Sequence, residues 1–146
     1  MKLSKNFELW EFVISQTAQR KGINNQPSEK QIKNLKLLCE RILQPAREAI
    51  GPMHVSSGYR CVVLNEAVGG SPNSAHKDGY AGDIIPVTCS KLKLAQWVAR
   101  NCEFDQIILE FGTKQEPSWI HLSADPRNRR QVLRILKGTG YQPITL

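Results

Sequence analysis

Residues 74–83 read Ser74-Ala75-His76-Lys77-Asp78-Gly79-Tyr80-Ala81-Gly82-Asp83. They set a histidine and an aspartate seven positions apart, with small residues between them at 79, 81 and 82. A loop that turns into a strand can bring two such side chains onto one ion, and the small residues let the backbone approach closely. A second histidine, His121 in Ser118-Trp119-Ile120-His121-Leu122, supplies a third potential ligand. On an extended segment it shares a face with Trp119 and Ser123, while Ile120 and Leu122 face the other way. Zinc hydrolases hold the metal with three such N and O ligands and leave one position for water. A His-x6-Asp spacing alone is a weak signal, and the chain has only three histidines to spend on it.

The segments around this stretch read as alternating helices and strands. Upstream, Met53 to Ser57 suits a short strand, Gly58-Tyr59-Arg60 a turn, residues 61–68 a short helix, and Gly69 to Asn73 a loop. Further back, Ser28 and Gln31 fit a capping box, and Ile32, Leu35, Leu38, Ile42, Ala46 and Ala49 recur at helical spacing. Pro45 is expected to bend that helix and Gly51-Pro52 to end it. Residues 3–22 read as short pieces packing Leu3, Phe7, Leu9, Trp10, Phe12 and Val13 onto the core. Downstream, Tyr80 to Val87 reads as a strand and Ser90 caps a helix to about Asn101. Residues 104–123 read as a β-hairpin. The basic tail, 128–137, fits a strand or a helix equally well. This order predicts an α+β fold with a mostly antiparallel sheet flanked by helices. At 146 residues, with no repeat or linker in view, a single domain over 1–146 is expected.

Composition narrows the functional classes. The chain is 40% hydrophobic and 23% charged, and its net charge of +7 favours an acidic polymer as partner. The local basic concentration is Arg127, Arg129, Arg130, Arg134 and Lys137, without a nucleic-acid motif beside it, so no nucleic-acid partner is expected. No apolar run nears the roughly 18–20 residues of a membrane span, and no membrane association is expected. The N-terminal stretch lacks a signal-peptide pattern, so synthesis in the cytoplasm is expected, with any export by another route. Cys39, Cys61, Cys89 and Cys102 show no paired spacing and read as free thiols, Cys61 being the one next to Arg60. A monomer is expected.

Several further stretches carry a resemblance. Ser56-Ser57-Gly58-Tyr59-Arg60, Leu64-Asn65, Gly69-Gly70-Ser71, Ser74-Ala75-His76, Gly79 to Asp83 and Trp119-Ile120-His121 stand in one order. Upstream of them stand Phe7 to Phe12, Gly22-Ile23-Asn24-Asn25 and Leu43-Gln44-Pro45-Ala46-Arg47. Together they resemble the zinc D-Ala-D-Ala carboxypeptidases of the hedgehog/DD-peptidase fold, in particular the compact members found in phages and prophages. The resemblance implies Zn2+ held by His76, Asp83 and His121. It implies Arg60 as the arginine that holds a substrate carboxylate or carbonyl oxygen, and Ser74 as a substrate hydrogen-bonding residue. The implied activity is hydrolysis of a peptidoglycan peptide bond, as a D,D-carboxypeptidase or an endopeptidase. The alternative is a catalytically weak or inactive zinc-containing module that binds cell wall.

One position departs from the family pattern. An acid that serves as general base is expected three residues before the last histidine, and here Ser118 stands there. Glu110, at the end of the preceding strand, is the expected replacement, because the apolar run Ile107-Ile108-Leu109 would raise its pKa. Glu116, in the hairpin turn, is the second candidate.

Overall fold

The computed structural model describes residues 1–146. Strands β1 (Lys2–Ser4) and β2 (Phe7–Glu8) form a small antiparallel pair that buries Leu3 and Phe7. Two short helices follow, α1 (Leu9–Val13) and α2 (Gln16–Lys21). The aromatic patch expected here is only partly core. Phe7 and Phe12 are buried, whereas Trp10 is 61% exposed and donates its indole N–H to Glu8 at 3.2 Å. A five-residue helix has room for one inward ring, and Phe12 takes it.

Helix α3 (Glu29–Leu38) starts at the expected capping box: Ser28 Oγ accepts from Gln31 N at 3.3 Å, and Gln31 Oε1 accepts from Ser28 N at 2.8 Å. It continues through a π-helical turn, Cys39–Leu43, into α4 (Gln44–Ile50). Pro45 has no N–H for the backbone carbonyl four residues back, and the widened turn before it relieves that mismatch. The wider turn also rotates the apolar stripe. Leu35, Leu38, Ile42 and Ala46 are buried as expected, but Ala49 is exposed and Leu43 and Ile50 turn inward. Gly51, at φ +94, ends the helix.

The main sheet contains β3 (Met53–Ser57), β4 (Ala81–Pro86), β5 (Gln106–Glu110), β6 (Trp119–Ser123), β7 (Gln131–Ile135) and β8 (Gln142–Pro143), in the order β3-β4-β6-β5-β7-β8. Helix α5 (Val62–Ala67) and a 3-10 turn (Ala75–Asp78) join β3 to β4, and α6 (Lys91–Asn101) joins β4 to β5. The fold is α+β. Neighbouring strands are antiparallel except β5 and β7, which run parallel, so the sheet is mixed. The tail left open between strand and helix is the strand β7.

Pleating divides the sheet into two faces. Val55, Ile84, Ile120, Leu122, Ile107 and Leu109 lie on the core face, each no more than 5% exposed. Leu35, Leu38 and Ile42 of the long helix and Leu94, Ala95 and Val98 of α6 belong to the same core. The opposite face carries Asp83, His121, Ile108 and Glu110, at alternate positions or directly across the ladder.

The basic residues near 127–134 are largely occupied within the fold. Arg127 pairs with Asp125, and Arg130 donates to Cys102 O and Ala99 O while its guanidinium lies 4.6 Å from the Phe104 ring centre. The fully buried Asp105 accepts from Arg129 N, Nε and Nη2 at 2.9, 2.9 and 2.7 Å. Burial alone would raise the Asp105 pKa, but these bonds hold it below the ordinary carboxylate range. Asp105 O also accepts from Gln131 N at 2.9 Å, so this residue anchors the crossover into β7. Asp105→Ala is expected to cost about 2–3 kcal/mol in urea unfolding. It should also loosen β7, which hydrogen exchange reads directly.

Candidate metal centre

The stretch 74–83 folds as a tight turn into a strand. Ser74 Oγ accepts from His76 N at 3.2 Å and caps the 3-10 turn. Gly79 ends the turn at φ +78, where a Cβ would stand 2.5 Å from Gln31 O, so only glycine fits. The chain then enters β4 and points Asp83 to the face opposite the core. His121 on β6 is its direct antiparallel partner.

The three side chains converge. His76 Nε2 lies 3.2 Å and His121 Nδ1 3.1 Å from Asp83 Oδ1. One ligand atom from each residue falls within 4.8 Å of the others. All three residues are buried, at 2% (His76), 6% (Asp83) and 7% (His121) exposure.

The partners of His76 test whether a cation belongs here. His76 Nδ1 is 2.6 Å from Gly58 O. A carbonyl only accepts, so Nδ1 carries the proton and, in the neutral ring, Nε2 keeps its lone pair. Burial lowers the His76 pKa against the opposing pull of Asp83, which favours that neutral ring. A lone pair then faces a carboxylate oxygen at 3.2 Å. That contact is repulsive without a cation between the two. The two-nitrogen, one-oxygen donor set and the carbonyl behind the histidine are what a zinc site uses. The residues fit the metal.

Burial alone would raise the Asp83 pKa, but the two imidazoles overcome it and hold the carboxyl well below its usual range. His121 moves the other way from His76: burial lowers it, but the bond to Asp83 and that residue's charge raise it overall.

Arg60 reaches the centre from the loop after β3. That loop is braced from several sides. Tyr59 N donates to Phe12 O at 2.7 Å, and Arg60 N donates to His76 O at 3.1 Å. The side chain of the buried Asn25 donates to Val13 O at 2.9 Å and Tyr59 O at 3.0 Å, and accepts from Cys61 N at 2.8 Å. Gly58 lets the loop press on α1, since a Cβ there would be 2.5 Å from Phe12 Cα. The Arg60 guanidinium touches Ser74 Oγ at 3.4 Å, and its buried Nε has no partner. Cys61 has a local job: its Sγ accepts from Leu64 N at 3.4 Å and caps α5. All four cysteines are free thiols.

The two acids considered as general base sit in different surroundings. Glu110 ends β5 on the face of the triad. Its pKa is raised, first by burial and then by the charge of Asp83, and its own charge acts on His121 and Arg60. Its Oε2 accepts a hydrogen bond from Trp119 Nε1. Phe111, at φ +59, and Gly112, at φ +62, turn the chain sharply just after it. Glu116 is instead 81% exposed at its side chain, with its carboxylate 3.8 Å from Lys91 Nζ. Together with Lys91 it borders a surface hollow that no member of the triad lines. The structure thus brings His76, Asp83, His121, Arg60, Ser74 and Glu110 together and leaves Glu116 outside. Sequence reasoning missed Asn25 as the brace of the Arg60 loop, because the bonds that make an asparagine structural are long-range. It also missed Tyr141, whose phenol feels Glu110, Asp83 and Arg60.

Known proteins resemble this chain. The Peptidase M15 family profile matches residues 5–123, which include the triad, Arg60 and Glu110. A curated relative, the zinc D-Ala-D-Ala carboxypeptidase of Streptomyces albus G, is 41% identical over 68 residues, which is 45% of this chain. The match spans 26% of that relative's length.

Proposed function

Because the chain belongs to the Peptidase M15 family, we propose that it is a zinc-dependent peptidase that cuts peptide bonds of peptidoglycan stem or cross-link peptides. The observation that carries this reading is the convergence of His76 Nε2 and His121 Nδ1 on Asp83 Oδ1, with Gly58 O behind His76. The substrate class rests on the relative named as a D-Ala-D-Ala carboxypeptidase and on a chain of net charge +7, suited to an acidic wall polymer.

Bound by His76, Asp83 and His121, zinc would supply Lewis acidity for the scissile carbonyl and lower the pKa of water to near neutrality. The remaining work falls to the chain's own residues. Trp119 holds Glu110 Oε2, which leaves Oε1 to take a proton from water and return it to the leaving amine. Desolvation raises the basicity of that carboxylate, in the direction the task requires. Arg60 has an unused, buried Nε donor and a planar guanidinium suited to a carboxylate in two-point contact. It orients the peptide, and Ser74 Oγ supports it from the turn below.

The test is incubation of zinc-loaded protein with purified muropeptides, followed by mass spectrometry. Shortened stems or released D-amino acids are expected, lost with a chelator and restored by zinc. Stoichiometric zinc with intact muropeptides would overturn the enzyme reading and leave a wall-binding module.

A further inference from the structure

The family match ends at residue 123, yet the sheet does not. Strands β7 and β8 extend it beyond β5, on the side away from β4. Their register fixes what they bring to the site. Glu110 pairs with Ile135 across β5 and β7, and Leu133 pairs with Pro143 and Arg134 with Gln142 across β7 and β8. Continuing that antiparallel ladder by one step sets Tyr141 level with Ile135, and so level with Glu110. Cross-strand partners share a face, so Leu133, Ile135 and Tyr141 belong to the face of Asp83, His121 and Glu110. Leu133 and Ile135 are half-buried there, and Tyr141 is 55% exposed.

Tyr141 is within electrostatic reach of the whole centre. The charges of Glu110, Asp83 and Arg60 all act on its phenol, and Arg60 in turn feels Tyr141. Arg60 comes from the β3 side of the sheet and Tyr141 from the β8 side, so the two bracket the triad. Burial and the two carboxylates raise the Tyr141 pKa, which keeps the hydroxyl a donor at neutral pH. An exposed ring on the face of Leu133 and Ile135, with a donor at its tip, combines an apolar wall with one point of polar recognition.

We propose that Tyr141, carried past the end of the matched segment by β7 and β8, is a substrate-binding residue. Its ring packs against the peptide, and its hydroxyl donates to a peptide carbonyl oxygen held between it and Arg60. This rests on the peptidase reading above, and the experiment separates the two. Wild type, Tyr141→Phe and Tyr141→Ala, all zinc-loaded, are assayed on a purified muropeptide with a pentapeptide stem ending in D-Ala-D-Ala. Binding of the same muropeptide is measured by calorimetry in a Glu110→Gln background.

Tyr141→Phe is expected to raise KM about fivefold to tenfold and leave kcat within about twofold. Tyr141→Ala should raise KM roughly thirtyfold or more, through the lost ring area as well. Zinc stoichiometry and Tm should match wild type, because the side chain is largely exposed. Binding should weaken by the same factors. If wild type cuts and both variants match it in KM and affinity, the Tyr141 assignment is wrong and the peptidase reading stands. If wild type does not cut, while the Glu110→Gln protein binds the muropeptide and adding Tyr141→Ala weakens that binding, the peptidase reading fails and the Tyr141 assignment stands. No cutting by wild type and no binding by the Glu110→Gln protein overturns both.

Discussion

Glu110→Gln is expected to lower kcat by about 10²–10⁴-fold, the usual contribution of a general base, while zinc still binds stoichiometrically. The amide is nearly isosteric, and its oxygen can still accept from Trp119, so the site should keep its shape. The loss therefore reports the proton transfer. Glu116→Gln, at an exposed carboxylate that meets Lys91, should leave kcat within about twofold. Full activity in Glu110→Gln together with a collapse in Glu116→Gln would reverse the assignment. The acid limb of the kcat/KM profile should report the ionisation of Glu110, which burial shifts up and the charge of a bound metal would shift down. Activity then grows with pH as Glu110 ionises, and Glu110→Gln should erase that limb.

The same shift carries a stability prediction of opposite sign to the catalytic one. A carboxyl whose folded pKa is raised stabilises the fold below its unfolded pKa, and that contribution is lost as pH rises through the folded value. In metal-free protein above the raised Glu110 pKa, the carboxylate is charged against its surroundings. Glu110→Gln should thus raise Tm there, and the gain should vanish in acid where Glu110 is protonated. Thermal melts above and below that pKa, with a chelator present, read this directly.

The second large effect is at the triad. Asp83→Ala or His76→Ala is expected to abolish stoichiometric zinc binding and to take hydrolysis to background. Two remaining ligands leave the ion half held, and a lone pair or an imidazolium is left without its partner. The independent readout is the shift of Tm with metal. At a thousandfold excess of zinc over Kd, wild type should gain about 4 kcal/mol, or on the order of 10–15 °C for a domain of this size. Each triad variant should melt at the same temperature with and without zinc. A triad variant that kept the full shift would place the metal elsewhere.

The metal-free protein should also lose stability in acid. The folded Asp83 pKa is depressed by His76 and His121, so its contribution is present above the unfolded carboxyl pKa and is lost as pH falls toward the folded value.

The local features were legible because local chemistry dictates them. The Ser28–Gln31 capping box, the glycine end at 51, the serine cap at 90 and the alternation through β6 involve neighbours in sequence. Each expresses itself through backbone geometry within a few residues. Errors came where geometry drifts over distance. The π-helical turn after Leu38 moved the buried stripe off Ala49. Trp10 came out to solvent because Phe12 already filled the inward position. The tail at 128–137 was undecidable because β7 is defined by parallel pairing to β5 and by the Asp105–Arg129 anchor, both more than twenty residues away.

For the site, the sequence by itself offered three candidate donors, through the family resemblance of the stretches that hold His76, Asp83 and His121 and the alternation that turns His121 away from the core. It also determined the absence of an acid at Ser118. Only the tertiary structure decided that Asp83 and His121 are cross-strand partners, that Gly58 O orients His76, and that Glu110 rather than Glu116 shares the field of the triad. It alone carried Tyr141 to the rim. The physical reason is common to all of these. A donor's identity is written at one position, whereas the protonation and basicity that make it useful depend on desolvation and on charges delivered by strands remote in the chain.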